Sequence, residues 1–206
     1  MTTPTHLLYL HGFRSSPQST KARMLAEQVQ QIQKLGHDIT WVSPQLPPSP
    51  CETAALIRQA VAAWPIETTT VIGSSLGGFY ATWLAEQAGC RAVVINPAVA
   101  PARDLARHIG MQTSYHDPES AFYFRPEFID EFKAMDPYPI TRPERYHALI
   151  TTGDEVLDWQ EMRAAYLNAD LQLVQGSDHA VSDFEQHLPE VWRWLGLPGM
   201  ARGRHE

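Results

Sequence analysis

A serine hydroxyl becomes a nucleophile when a base takes its proton and a third group orients that base. Three segments of this 206-residue chain carry residue types in that relation. Gly73-Ser74-Ser75-Leu76-Gly77 is a G-x-S-x-G in which only Ser75 fits the central place. Centring on Ser74 would need glycines where Ile72 and Leu76 stand. "TTGDEVLDW" (151–159) offers Asp154, directly after Gly153, and the rival Asp158. "QGSDHAVSD" (175–183) offers His179. Read together, Ser75, His179 and Asp154 are the parts of an acyl-transfer centre. An ordinary imidazole has a pKa of about 6.5, so a rate that depends on such a base falls on the acid side.

The remaining requirement is a pair of donors for the oxyanion. "YLHGFRSSP" (9–17) places Gly12, which admits close backbone approach, before Phe13. The N–H groups of Phe13 and Leu76 are the expected pair. One such donor is typically worth about 10²–10³ in rate.

These residues need elements to hold them. "HLLYL" (6–10) reads as a buried first strand, and 18–34 as a helix with a stripe at Met24, Leu25, Val29 and Ile32. "DITWVS" (38–43) is the second strand. "SPCETAALIRQAVAAW" then opens a helix with Ser49 as N-cap, Pro50 at the first position and Glu52 completing a capping box. "TTVIG" (69–73) is the third strand, and the helix after it runs to about Ala88. "RAVVIN" (91–96), "YHALITTG" (146–153) and "LQLVQG" (171–176) are strands four to six. A helix from about Asp158 to Asn168, with Asp158 as N-cap and Glu161 in its box, follows strand five. A last helix ends near Leu195.

Strands alternating with helices predict a mostly parallel, doubly wound α/β sheet covered on both faces. The expected order of its six strands is 2-1-3-4-5-6. The crevice then opens between strands one and three, where the winding reverses. Gly12-Phe13 would stand on one side of it and Ser75-Leu76 on the other. Strands five and six would deliver Asp154 and His179. G-x-S-x-G at a strand-to-helix turn lifts one serine above the sheet edge. Side chains at 73 and 77 would collide as the helix folds back, hence Gly73 and Gly77, while Gly78 permits close packing of the new helix.

Position also sorts the nine histidines. His179 follows the last strand, on the ligand side of the sheet. His11 follows the first strand. His6 and His147 lie at strand starts, at the opposite end. His187 falls in the last helix, and His37, His108, His116 and His205 in turns, insertion or tail. Asp178 adjoins His179, but neighbouring side chains point apart.

Residues 97–145 break the alternation. They are rich in proline and aromatics, and 126–135 place Phe128, Ile129, Phe132 and Met135 on one helical face. The segment reads as a cap inserted into one domain spanning 1–206. Phe122, Phe124, Phe128 and Phe132 are candidates for an acyl pocket beside Gly12. Docking of the cap on the core is an equal alternative for these aromatics.

Sixteen basic against 23 acidic side chains give a net charge of −7. That argues against a nucleic-acid or anionic-membrane partner and leaves a small-molecule acyl ester or thioester as the expected one. Arg202 and Arg204 form a short basic tail, read as a disordered terminus. Two cysteines, Cys51 and Cys90, fit a reducing compartment. "MTTPTHLLYLHGF" lacks the basic start and long apolar run of a signal peptide, and no run approaches the roughly 18 apolar residues of a membrane span. A cytoplasmic location is expected. The histidines and cysteines are not spaced as metal ligands, and no cofactor is implied.

The stretches "YLHGFRSSP", "IGSSLGGFYATWLAE", "NPAV", "TGDEVLDW" and "GSDHAVSDF" resemble the α/β-hydrolases, and more closely the small bacterial esterases of the YqiA type. The matching segments run from residue 9 to 184. The resemblance implies a cofactor-free Ser-His-Asp esterase for short acyl esters, with thioesters a further class. By matching position it implies Ser75, Asp154 and His179. It is weakest over 101–145, so substrate preference carries over poorly. An acyl thioesterase, a peptidase or a C–C bond hydrolase would use the same nucleophile. A haloalkane dehalogenase would need a carboxylate where Ser75 stands. A hydrolase scaffold kept only for binding would show a missing triad member, and none is missing.

Overall fold

The computed structural model describes residues 2–115 and 119–198. His116, His205, Arg202 and Arg204 lie outside them. Strands β1 (His6–Leu10), β2 (Thr40–Val42), β3 (Thr69–Ser74), β4 (Arg91–Ile95), β7 (Tyr146–Thr151) and β8 (Asp170–Val174) form one sheet in the order β2-β1-β3-β4-β7-β8. All five pairings are parallel. Between β4 and β7 the insertion carries an antiparallel hairpin of its own, β5 (Gly110–Thr113) and β6 (Ala121–Phe124). The six sheet strands follow the order expected from the sequence.

The two faces of the sheet are written into the strands with a period of two. On β1, Leu7 and Tyr9 join one core while Leu8 and Leu10 join the other. The first core is closed by α1 (Thr20–Lys34), through Ala22, Leu25, Val29 and Ile32, and by α7 (Phe184–Leu195), through Phe184, Leu188, Val191 and Trp192. The second is closed by α2 (Pro50–Val61), α3 (Leu76–Ala88) and α6 (Trp159–Ala165). Each large side chain so buried contributes about 1.5–3 kcal/mol. No helix among the described residues is long and apolar enough to cross a membrane.

Both capping boxes form only by half. Ser49 Oγ accepts from the Glu52 N–H at 3.2 Å. The carboxylate at the start of α2 comes instead from Glu131, which accepts from Ser49 Oγ at 2.8 Å and from the Cys51 N–H at 2.9 Å. Asp158 Oδ1 accepts from the Gln160 N–H at 2.8 Å, while Glu161 turns away to a bidentate pair with Arg103 at 2.8 and 2.6 Å.

Those two carboxylates join the insertion to the core. Glu131 lies on α5 (Glu127–Ala134) and Arg103 on α4 (Pro101–Asp104), both within residues 97–145. On the first loop, Arg14 donates from Nε to the Thr113 carbonyl at 2.6 Å, and the Tyr115 N–H donates to the Arg14 carbonyl at 2.8 Å, tying the hairpin down. Under the insertion, Phe132 lies against Phe79 at 5.6 Å and Tyr80 at 6.2 Å, and Phe124 against Phe128 at 5.4 Å between ring centroids.

Candidate active site

β3 ends at Ser74, and the chain turns into α3 through Ser75, whose φ of 56° lies in the left-handed region. That conformation is costly for a non-glycine residue and is held by close backbone approach. A Cβ on Gly77 would stand 1.9 Å from the Leu10 carbonyl oxygen, and one on Gly73 2.1 Å from the Gly77 oxygen. Side chains at either position would drive the helix off the strand. The Ser75 N–H donates to Ile95 O at 2.9 Å, and Ser75 O accepts from Ala98 N at 3.0 Å, so β4 and the loop after it complete the turn.

His179 Nε2 stands 3.0 Å from Ser75 Oγ, and His179 Nδ1 stands 2.7 Å from Asp154 Oδ2. The Asp154 side chain is fully buried. Its other oxygen, Oδ1, accepts from the N–H groups of Val156 and Leu157, each at 2.8 Å. A carboxylate can only accept, so Nδ1 carries the imidazole proton and Nε2 offers its lone pair to the Ser75 hydroxyl. Asp158 takes no part in this series; it caps α6. Asp178 accepts from Ser182 N at 2.8 Å and Ser182 Oγ at 2.6 Å, turned away from the imidazole.

Gly12 lies directly against the serine: a Cβ built on it would sit 3.1 Å from Ser75 Cβ. Leu76 leads α3, so its N–H has no acceptor within the helix. His11 is buried and bridges the Gly12 loop to the next. Its Nε2 accepts from the Leu46 N–H at 3.0 Å, which leaves Nδ1–H to donate to Gly12 O at 2.9 Å. His6 and His147 sit at the opposite end of the sheet, and His187 pairs with Asp183 at 3.2 Å.

Two cavities meet at this point. One, of about 330 Å³, is lined by Ser75, His179, Lys21, Pro101, Leu105 and Val156, among others. The second, of about 640 Å³, is lined by Leu46, Pro47, Pro48, Tyr80, Phe122 and Arg14, among others. Gly12, Phe13, Ser15 and Leu76 border both. Of the four cap phenylalanines expected at an acyl pocket, Phe122 alone lines one of these two cavities. Phe124, Phe128 and Phe132 line neither and are packed into the core. Apolar spacing on α5 marks which side faces inward, but that side meets Phe79 and Tyr80 rather than an open space.

Two side chains at the site went unassigned from sequence. Asn96, fully buried at the end of β4 with φ 40°, donates from Nδ2 to Thr151 Oγ1 at 2.9 Å and to the carbonyls of Asp178 and His179, each at 3.2 Å. Its Oδ1 accepts from the Thr151 N–H at 2.9 Å. Lys21, on α1, donates to the Ala180 carbonyl. Its ammonium is pushed down to about 8 by burial, against the pull of Asp178 and Asp154. The signal for Asn96 was an asparagine between a strand end and a proline; Lys21 carried none. Among the described residues, no three His, Cys, Asp or Glu side chains gather as a metal site.

A model described as "Uncharacterised protein family (UPF0227)" matches residues 6–196. The chain belongs to the UPF0227 family. A UPF0227 protein of Serratia proteamaculans is 23% identical over 197 residues, covering 93% of this chain and 99% of that one. One from Yersinia pseudotuberculosis is 24% identical over 190 residues, covering 90% and 96%. Among solved structures, mouse alpha/beta hydrolase domain-containing protein 10 matches with a TM-score of 0.67 at 14% identity, covering 95% of this chain and 92% of that one. A metagenome-derived lipolytic enzyme of the LipS and LipT pair matches at 0.67 and 17%, covering 95% of each. The monoacylglycerol lipase of Paleococcus ferrophilus matches at 0.63 and 15%, covering 95% and 96%. This UPF0227 chain therefore has the α/β-hydrolase fold, as the resemblance implied.

Proposed function

We propose that the chain is a serine esterase that hydrolyses short-to-medium acyl esters through an acyl-enzyme. The observation that carries this reading is the unbroken hydrogen-bonded series from Ser75 Oγ through His179 to Asp154, at 3.0 and 2.7 Å, on a strand-to-helix turn. Ser75 attacks the ester carbonyl while His179 Nε2 takes its proton. Asp154 holds the Nδ1–H tautomer and stabilises the imidazolium. The N–H groups of Phe13 and Leu76 receive the oxyanion. His179 returns the proton to the leaving alcohol, then activates a water that releases the acid. Every step is supplied by the chain's own residues, without a cofactor. The lipolytic neighbours and the fold favour ester substrates over other acyl compounds.

The test is hydrolysis of p-nitrophenyl butyrate by wild type and Ser75→Ala. A loss of at least about a thousandfold in the variant, with an unchanged unfolding transition, is expected. Equal activity in the two proteins would remove Ser75 as the nucleophile.

A further inference from the structure

His179 stands on an irregular segment between β8 and α7, outside any strand pairing or helix. We propose that Asn96 is a positioning residue for the reaction: it sets the separation of His179 from Ser75 by holding the backbone that carries the imidazole. This rests on the esterase reading above.

The segment from Ile95 to Ala98 grips both partners. Its backbone holds the serine: Ile95 O accepts from the Ser75 N–H at 2.9 Å, and the Ala98 N–H donates to Ser75 O at 3.0 Å. The Asn96 side chain, between those two contacts, holds the base. Its Nδ2 donates to the carbonyls of Asp178 and His179, each at 3.2 Å. Asn96 is itself anchored, because its backbone N–H donates to Leu149 O on β7 at 2.9 Å. Nδ2 also donates to Thr151 Oγ1 at 2.9 Å, and that hydroxyl donates onward to Asp178 O at 3.2 Å. Thr151 ends the strand that leads into Asp154. One short segment thus meets the chain beside Ser75, Asp154 and His179.

The amide suits this place by its chemistry. Oδ1 faces the Thr151 N–H, and Nδ2 faces carbonyls, which accept and cannot donate. A carboxylate here would set oxygen against oxygen. The φ of 40° lies in the left-handed region, which asparagine tolerates better than most residues. Full burial denies these groups water as a substitute partner. Glu155 accepts from the His179 N–H at 2.9 Å, and Lys21 holds the Ala180 carbonyl. Glu155 is exposed and Lys21 borders a cavity, so of the three holders Asn96 is the one sealed in the core. A misplacement of about 1 Å between reacting groups can cost about a hundredfold in rate.

The experiment is a double-mutant cycle on p-nitrophenyl butyrate hydrolysis, with Asn96→Gly and His179→Ala made singly and together. Glycine accepts the backbone conformation and removes the carboxamide. Asn96→Gly is expected to lower kcat by about a hundredfold, with KM within about twofold of wild type. In the His179→Ala background the same change is expected to cost nothing further, because the imidazole it places is gone. Rates are referred to folded protein, fixed by urea unfolding of each variant. If Asn96→Gly does not fold, Asn96→Asp keeps the side-chain volume, loses the donors and is expected to show the same pattern. Equal losses in the two backgrounds would mean a general loosening of the sheet edge and would overturn the proposal. So would a kcat within about threefold of wild type in the folded variant. A His179→Ala variant as active as wild type would instead overturn the esterase reading, and this proposal with it.

Discussion

Asp154 and Asp158 share one loop, and their surroundings give them different work. Asp154 is buried, with one oxygen held by two backbone N–H groups and the other on His179. Asp154→Asn is expected to lower kcat by about 10³–10⁴, since an amide can present N–H to the imidazole and favour the wrong tautomer. Asp158 accepts a single bond at the start of α6. Asp158→Ala is expected to cost about 1 kcal/mol of stability and to leave the esterase rate close to wild type. Urea unfolding and p-nitrophenyl butyrate hydrolysis on the two variants would separate the roles. The serine and histidine were legible from local pattern: a glycine-flanked serine after a strand, a histidine after the last strand. The carboxylate was not settled by pattern, because both aspartates follow the same strand; the bond to His179 and the backbone donors at 156 and 157, which distinguish them, arise only in the fold. Asn96 escaped for a related reason. Its partners at 151, 178 and 179 come from two other strand ends, and nothing local to Asn96 encodes that meeting.

At the scale of elements, the turn between β3 and α3 depends on contact distances rather than on preference. Gly77→Ala would press a methyl group into the Leu10 carbonyl. It is expected to cost about 3 kcal/mol or to prevent folding, read as the shift in denaturation midpoint. The insertion depends on aromatic packing. Phe132, nearly inaccessible, joins α5 to Phe79 and Tyr80, and Phe132→Ala is expected to cost about 3–5 kcal/mol. Phe128→Ala should reduce activity on acetyl and octanoyl esters alike, as expected of a docking residue. A selective loss on the octanoyl ester would return Phe128 to the acyl pocket. The main-sheet strands could be read as short apolar runs buried on both faces, whereas the hairpin could not. Its strands, GMQT and AFYF, are short, and their inward side is set by the loop at Arg14 and by the core beneath, both distant in sequence.

Across the whole molecule, the sheet converts chain order into a single locus. Strand ends from 10, 74, 95, 151 and 174 stand at one edge, and the loops that leave them carry every residue of the proposed reaction. Lys21 reaches that edge from α1, and its depressed pKa of about 8 makes stability depend on pH. Between about 8 and the ordinary 10.5, the unfolded chain binds more protons at this site than the folded one. The penalty of burying the ammonium is complete below that window and vanishes above it. The stability of wild type relative to Lys21→Met is therefore expected to rise with pH through the window, as measured by urea unfolding at several pH values. A flat difference would mean that the ammonium is not desolvated.

The carboxamide of Asn96 holds the Thr151 amide with one atom and the carbonyls of 178 and 179 with the other. One side chain thus joins the end of β7 to the segment bearing His179. Deuterium should therefore reach the Thr151 amide only when the segment bearing His179 opens, so one slow proton would serve as a clock for the loop. A stable adduct at Ser75 that engages His179 should slow that clock, even though Thr151 itself touches no substrate.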